Sequence, residues 1–287
     1  MDVIFYVGLA FASFGAGMLG ALLGLGGGVF LVPALILIFH LPNLIAIGTS
    51  NVAVVATSTA GASNYVRDRM ANIRLGLVLL VSTTAAALLS SLVASFLPGR
   101  LLSALFAVVL CYTAITMLRS RKSETTPVRT ADDGTARKTD LGLEGSYYDA
   151  ASGKTEVYYP QKLREGMSIS MLAGVVAGLL GVGGGIVQMP LMNLMMKVPL
   201  KVAAGTSNFM IGVTATSAAF VRYAHGDIDP LIAVPTALFV FLGAKVGAWL
   251  VPRTPTARLK LIFGWVALAV AALMLLQALD IYRPPGK

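Results

Sequence analysis

The chain has 287 residues and a mass of 29.9 kDa, with 56% apolar residues, only 12% charged residues and a mean hydropathy of +0.80. A water-soluble domain carries about 25% charged residues to solvate its surface, so this composition describes an integral membrane protein and excludes soluble enzymes, secreted domains and nucleic-acid-binding modules. The net charge of +9 then reads as the Lys and Arg excess of cytoplasmic loops, not as a nucleic-acid footprint.

Residues 3–39 contain no Lys, Arg, Asp or Glu. About 20 apolar residues cross the hydrocarbon of a bilayer, so one straight helix here would be too long. The run Gly24-Leu25-Gly26-Gly27-Gly28, followed by Pro33, predicts where it breaks. The start, Met1-Asp2-Val3, has no basic n-region and reads as the first membrane segment, not as a cleaved signal. Further apolar segments run over 44–66, 75–97 and 101–118. The lone Cys111 lies in the last of these, where no intrachain disulfide is possible. Residues 119–165 then form a polar linker with nine basic and eight acidic residues. Its first part, 119–140, is poor in apolar residues and is expected to be disordered. Tyr147-Tyr148 and Val157-Tyr158-Tyr159 around a turn-forming stretch predict a short hairpin. An isolated hairpin is marginal in water, so it would rest on the membrane domain. The linker is either a tether or a regulatory, partner-binding element. The second half repeats the first: segments at 167–180, 186–196, 202–221, 230–251 and 259–279, with a break at 181–185. The expected organisation is therefore a membrane repeat over 1–118, a linker over 119–165 and a second repeat over 166–287.

The halves are related residue by residue. At a constant offset of 157, Gly24, Gly26, Gly27, Gly28, Pro33 and Pro42 align with Gly181, Gly183, Gly184, Gly185, Pro190 and Pro199. Gly48-Thr49-Ser50-Asn51 aligns with Gly205-Thr206-Ser207-Asn208, giving 12 identities over 28 ungapped positions. Seventeen of the 22 basic residues fall in four loops: 67–74, 119–165, 197–201 and 253–260. If these are cytoplasmic, both termini lie outside and the halves are inverted, the architecture of many secondary transporters. The fold class is thus all-α and polytopic, with eight to ten membrane segments in two inverted repeats and glycine-broken short helices.

Unwound backbone in a membrane survives only where protein buries it or a cavity is lined by it. Paired breaks in two halves are pointers to a transport site. Gly26, Gly27, Gly28, Gly183, Gly184 and Gly185 are therefore binding candidates, with close helix packing as the alternative. Pro33 and Pro190 are expected in the first turn of the following helix, whose N-terminus favours an anion. Thr49, Ser50, Asn51, Thr206, Ser207 and Asn208 supply neutral hydrogen-bonding groups suited to an oxyanion, or to interhelical bonds. Ser50, Thr57 and Asn64 form a polar stripe, as do Ser207, Thr214 and Ser217. Lys245 is the one charge well inside a segment and reads as substrate-binding or as snorkelling. Gly243 and Gly247 flank it and would keep its face open. Arg67 and Arg222, related by a two-residue shift, read as topology anchors or as anion attractors at the two mouths.

The doubled pattern G-x-G-G-G-x-x-x-x-P followed by G-T-S-N resembles the TauE/SafE sulfite exporter family, also called the toluene sulfonate uptake permease family. The resemblance covers both membrane halves and not the linker. It implies transport of a sulfur-containing anion, sulfite, sulfonate or thiosulfate, across a cell inner membrane, with the lipid bilayer and a small sulfur oxyanion or organosulfonate as partners. It implies no cofactor, and the sequence sets no oligomeric state. No histidine metal cluster, Ser–His pair or intramembrane carboxylate pair is present, so the chain reads as no enzyme. The alternatives are an anion channel, and a membrane sensor or scaffold signalling through the linker.

Overall fold

The computed structural model describes residues 3–67, 70–119, 142–149, 154–254 and 256–278. These are all-α apart from one hairpin. The first half carries α1 (Val3–Leu23), α2 (Gly28–Leu37), α3 (Asn43–Arg67), α4 (Ile73–Ala94) and α5 (Gly99–Arg119). Strands β1 (Gly145–Asp149) and β2 (Lys154–Tyr158) follow. The second half carries α6 (Leu163–Leu180), α7 (Gly185–Pro190), α8 (Leu200–Ala224), α9 (Pro230–Leu250) and α10 (Thr256–Ala278). Helices α1, α3, α4, α6 and α9 are long and apolar enough to cross a membrane. Ile4, Phe11, Val81, Phe96, Phe220 and Leu231 stand exposed around the bundle, an apolar surface that suits lipid and not water. Disorder is expected over 119–140; Arg119 closes α5, and residues 120–141 lie outside the described residues, as do 150–153 and the two chain ends.

Both breaks form by the same backbone device. Gly24 and Gly181, each at φ 69°, turn left-handed and end α1 and α6. Gly27 at 76° and Gly184 at 80° turn left-handed again and start α2 and α7. Only glycine adopts these angles without steric strain. Because the new helix begins at the very next residue, Pro33 and Pro190 are not in its first turn as expected. They are the sixth residues of α2 and α7, inside each helix. Neither can donate to the preceding turn. After Pro190 the chain widens into a π-turn, Leu191–Met195, whereas α2 stays α-helical to Leu37.

The halves interleave. α1 packs along α9 and α6 along α4, each against the other half, while α3 lies along α8 and α5 along α10. A Cβ on Gly17 would fall on the Val240 carbonyl, and one on Gly174 on the Thr83 carbonyl. Small residues let the backbones meet. Each contact maps onto its counterpart at the 157 offset, so the fold has a pseudo-two-fold axis between α3 and α8. These two helices run antiparallel: Gly48 abuts the Asp227 carbonyl at one end and Gly205 abuts the Met70 carbonyl at the other. We call these the Arg222 end and the Tyr65 end.

The hairpin pairs Gly145 with Tyr158 through to Asp149 with Lys154, antiparallel. It sits on the Tyr65 end. Asn72 caps α4 by accepting from Leu75 N–H at 3.0 Å. Its Nδ2 donates to Leu143 O at 2.8 Å and to the Tyr158 hydroxyl at 3.2 Å. Arg74 donates to Gly142 O at 3.2 Å, and Gln161 N–H to Met196 O at 3.0 Å. Leu143, Tyr147 and Tyr158 are buried and continuous with the core of the bundle. Burial pushes the Tyr158 phenol up to about 12, with the Asn72 hydrogen bond pulling the other way.

Candidate functional site

The two breaks meet at the crossing of α3 and α8. Ser50 Oγ donates to Gly181 O and Ser207 Oγ to Gly24 O, both at 2.8 Å. Each half therefore satisfies a carbonyl that the other half's broken helix leaves orphaned. A Cβ on Gly28 would lie 2.7 Å from Gly181 O, and one on Gly185 2.8 Å from Gly24 O. The N-terminus of α2 thus abuts the C-terminal end of α6, and that of α7 abuts α1, so opposite dipole ends face each other. Gly26 and Gly183 pack on Val54 and Ile211, an offset pair that fills the space between the breaks.

Thr49, Ser50, Asn51, Thr206, Ser207 and Asn208 are all fully buried here. The structure brings Ser50 and Ser207 against the two GGG breaks and Asn208 against Ala21, at the end of α1, while Thr206 faces Asn72 and Gly76. Of the polar stripes, Thr214 Oγ1 reaches Gly183 O at 3.0 Å. Thr57 Oγ1 turns back to Ala53 O at 3.0 Å in its own helix. Ser217 likewise bonds Val213 O at 3.0 Å, and the Asn64 side chain lies outside the described residues. Lys245 is not brought to this centre. It is exposed, with its ammonium 5.1 Å from the centroid of the Phe241 ring. Gly243 and Gly247 do not open its face as expected: they pack on the Phe14 and Met18 carbonyls of α1.

The symmetry stops at the polar side chains. At the Tyr65 end, Asn208 Nδ2 donates to Ala21 O at 3.2 Å and the Tyr65 hydroxyl donates to the same carbonyl at 2.7 Å. The Tyr65 side chain also hydrogen-bonds Asn208, and Thr206 Oγ1 accepts from Asn72 N–H at 2.9 Å. At the Arg222 end, both polar atoms of Asn51 and the hydroxyl of Thr49 are buried without a hydrogen-bond partner. Arg222 is fully buried; its Nη1 donates to Asp227 Oδ2 at 3.1 Å and to Ser95 Oγ at 3.3 Å. Its Nε and Nη2 have no partner. Among the described residues no carboxylate is buried, so the polar interior is neutral or cationic.

Three features escape the sequence reading. Lys201, read as a loop residue, is a fully buried member of α8. The constant offset pairs Arg222 with Tyr65, not with Arg67 as the two-residue shift suggests; carrying the 157 register past the GTSN motif would have shown it. Gln188, in the apolar run of α7, is fully buried and donates to Thr83 Oγ1 at 3.1 Å. A lone amide in such a run is the signal that could have found it.

Residues 9–274 match the family model for the sulfite exporter TauE/SafE. The chain is 24% identical over 272 residues to the probable membrane transporter protein YunE of Bacillus subtilis (strain 168), covering 92% of this chain and 95% of that one. It is 26% identical over 261 residues to a probable membrane transporter protein of Xylella fastidiosa (strain 9a5c), covering 89% and 90%. It is 25% identical over 282 residues to the probable membrane transporter protein MJ0441 of Methanocaldococcus jannaschii, covering 91% and 93%. No solved structure gives a significant match. With its glycine-broken apolar helices, the chain is a multi-pass membrane transporter and not an enzyme, and it belongs to the sulfite exporter TauE/SafE family.

Proposed function

We propose that the protein is a secondary transporter that carries a small sulfur-containing anion, of the sulfite, sulfonate or thiosulfate class, across the cytoplasmic membrane by alternating access. The observation that carries this reading is the crosswise hold at the centre, Ser50 on Gly181 and Ser207 on Gly24. Ser50 sits toward the Arg222 end of α3 and Ser207 toward the Tyr65 end of α8. Releasing one bond to an arriving anion opens one end while the other stays closed. The glycine runs 26–28 and 183–185, held by Ser50 and Ser207, form the gate, and the two Thr-Ser-Asn triplets carry the candidate binding groups beside it, while Lys245 stands outside. A neutral-to-cationic interior suits an anion. Because α1 packs on α9 and α6 on α4, the moving bodies mix the two halves and are not the halves themselves.

Arg67, Arg74, Lys197 and Lys201 all lie toward the Tyr65 end. On the positive-inside rule that end and the hairpin are cytoplasmic, and the Arg222 end and both termini lie outside. The test is a thermal-shift panel of sulfite, thiosulfate, sulfate, taurine and chloride on purified protein, paired with planar-bilayer recording. A bound anion at 100 times its Kd stabilises the fold by about 2.7 kcal/mol. A sulfur anion is expected to raise the melting temperature, with no unitary conductance. No shift with any sulfur anion, or discrete channel currents, contradicts the reading.

A further inference from the structure

Resting on this transporter reading, we infer that Arg222, with Asn51, is the oxyanion-recognition pocket, and that the equivalent place around Tyr65 and Asn208 does not bind the anion.

The geometry comes from the symmetry and from one direct contact. In the antiparallel α3–α8 pair, Asn208 packs beside Gly61, whose Cβ position lies 3.5 Å from its amide carbon, and hydrogen-bonds Tyr65 one turn further on. The 157 offset turns this pair into Asn51 beside Ala218, with Arg222 one turn further on. Independently, Gly48 of α3 abuts the carbonyl of Asp227, the carboxylate partner of Arg222. The Arg222–Asp227 turn is therefore seated on the helix turn that bears Thr49 and Asn51.

The chemistry is that of side-on oxyanion binding. A guanidinium has five N–H donors in a fixed fork. Here Nη1 serves Asp227 and Ser95, while Nε and Nη2 are fully buried and unpartnered. Those two nitrogens form the edge that takes two oxygens of a sulfur oxyanion in parallel. The Asn51 Nδ2, buried and unpartnered, donates to a remaining oxygen. Asp227 balances the guanidinium when the pocket is empty. In the other half a tyrosine replaces the arginine, and its hydroxyl is already committed to Ala21 O at 2.7 Å. The pocket thus breaks the duplication: both halves build the gate, and the guanidinium fork stands at one end only.

The test measures binding of thiosulfate and sulfite by calorimetry on the full-length protein in nanodiscs, beside an Arg253→Gln control at an exposed arginine. Arg222→Gln is expected to weaken binding by about 10- to 100-fold, as for lost hydrogen bonds to a charged ligand. Arg222→Lys, which keeps the charge but not the fork, falls between. Asp227→Asn is expected to tighten binding, because the competing carboxylate is gone. Should Arg222→Gln fail to fold, Asn51→Asp still decides: its carboxylate occupies the guanidinium, so that variant melts higher and binds neither anion. Equal affinity in wild type and Arg222→Gln, or parallel losses in Arg222→Gln and Asp227→Asn, overturns the pocket while leaving the transporter reading standing. Wild-type protein that binds neither anion overturns both.

Discussion

At the Tyr65 end of the α3–α8 pair, Asn208, Tyr65 and Thr206 have hydrogen-bond partners in Ala21 and Asn72, and the linker hairpin lies over them. At the Arg222 end, Asn51, Thr49 and two guanidinium nitrogens have none. The two ends descend from one duplicated sequence, so the difference lies in the side chains that diverged and in the hairpin that covers only one of them. It teaches where the energy of each end goes. Unpartnered buried donors are destabilising by about 1–3 kcal/mol each, a state that a ligand relieves. At the Tyr65 end, of Asn208, Tyr65 and Thr206, only the Asn208 Oδ1, an acceptor that an anion cannot serve, lacks a partner. On the proposed reading, the hydrogen-bonded end is the gate and the open-handed end the receptor.

The largest expected effect is at the centre, where the ends are equivalent. Gly28→Val and Gly185→Val should each prevent accumulation of folded protein, because the new side chain meets backbone carbonyls and cannot displace them. Overpacking ordinarily destabilises by about 1–3 kcal/mol, and a clash with backbone exceeds that range. Gly15→Ala, with nothing within 4 Å of its Cβ position, should express as wild type. Unequal outcomes at Gly28 and Gly185, read by detergent-solubilised size-exclusion yield, would break the central symmetry.

The asparagines sharpen the comparison next. Asn208→Ala removes a bond to Ala21 O and should lower stability by roughly 0.5–1.5 kcal/mol. Asn51→Ala removes two unpartnered buried groups and should leave the melting temperature unchanged or raised. Ligand affinity should reverse the order, Asn51→Ala weakening anion binding more. Melting curves with and without anion report both quantities. A matching pair of phenotypes would mean that the ends are alike.

The hairpin gives a smaller effect. Asn72→Ala removes a helix cap and two bonds to the hairpin, a loss of about 0.5–2 kcal/mol from the cap alone. Amide exchange in β1 and β2 should rise at neutral pH, with exchange at the Arg222 end unchanged. In the wild type the pH sign follows from Tyr158. Its folded value is raised from 10.0 to about 12, so its contribution is fully present below pH 10 and lost as pH climbs toward 12. Exchange in the strands that is already fast at pH 8 would contradict a docked hairpin. The smallest effect is at Lys245, where Lys245→Gln should change anion flux by no more than about twofold, as expected of an exposed charge. A collapse of flux in liposomes at matched incorporation would return Lys245 to the site.

Much of this was legible in the chain itself. The ungapped offset from Gly24 to Asn208 exposes the duplication, the glycine breaks and the triplets, because backbone conformation constrains glycine and proline directly. The hairpin is readable from tyrosines flanking a turn. What the sequence does not carry is which half each helix packs against. Hydropathy is identical whether α1 lies on its own half or on α9, so the interleaving and the Ser50–Gly181 exchange appear only in three dimensions. Lys245 misleads for a related reason: linear depth in an apolar run says nothing about which face of α9 is turned outward. Arg222 is undervalued because a basic residue at a helix end looks like an anchor until its burial is known.

The central claim is alternation around a crosswise gate, and counterflow tests it most directly. Liposomes carrying the protein are loaded with unlabelled thiosulfate or sulfite and diluted into a trace of the radiolabelled anion. The account predicts transient accumulation of label above its equilibrium level, because each return of a loaded carrier exchanges one anion for another. Label that only equilibrates, or that enters no faster than into protein-free liposomes, would contradict it.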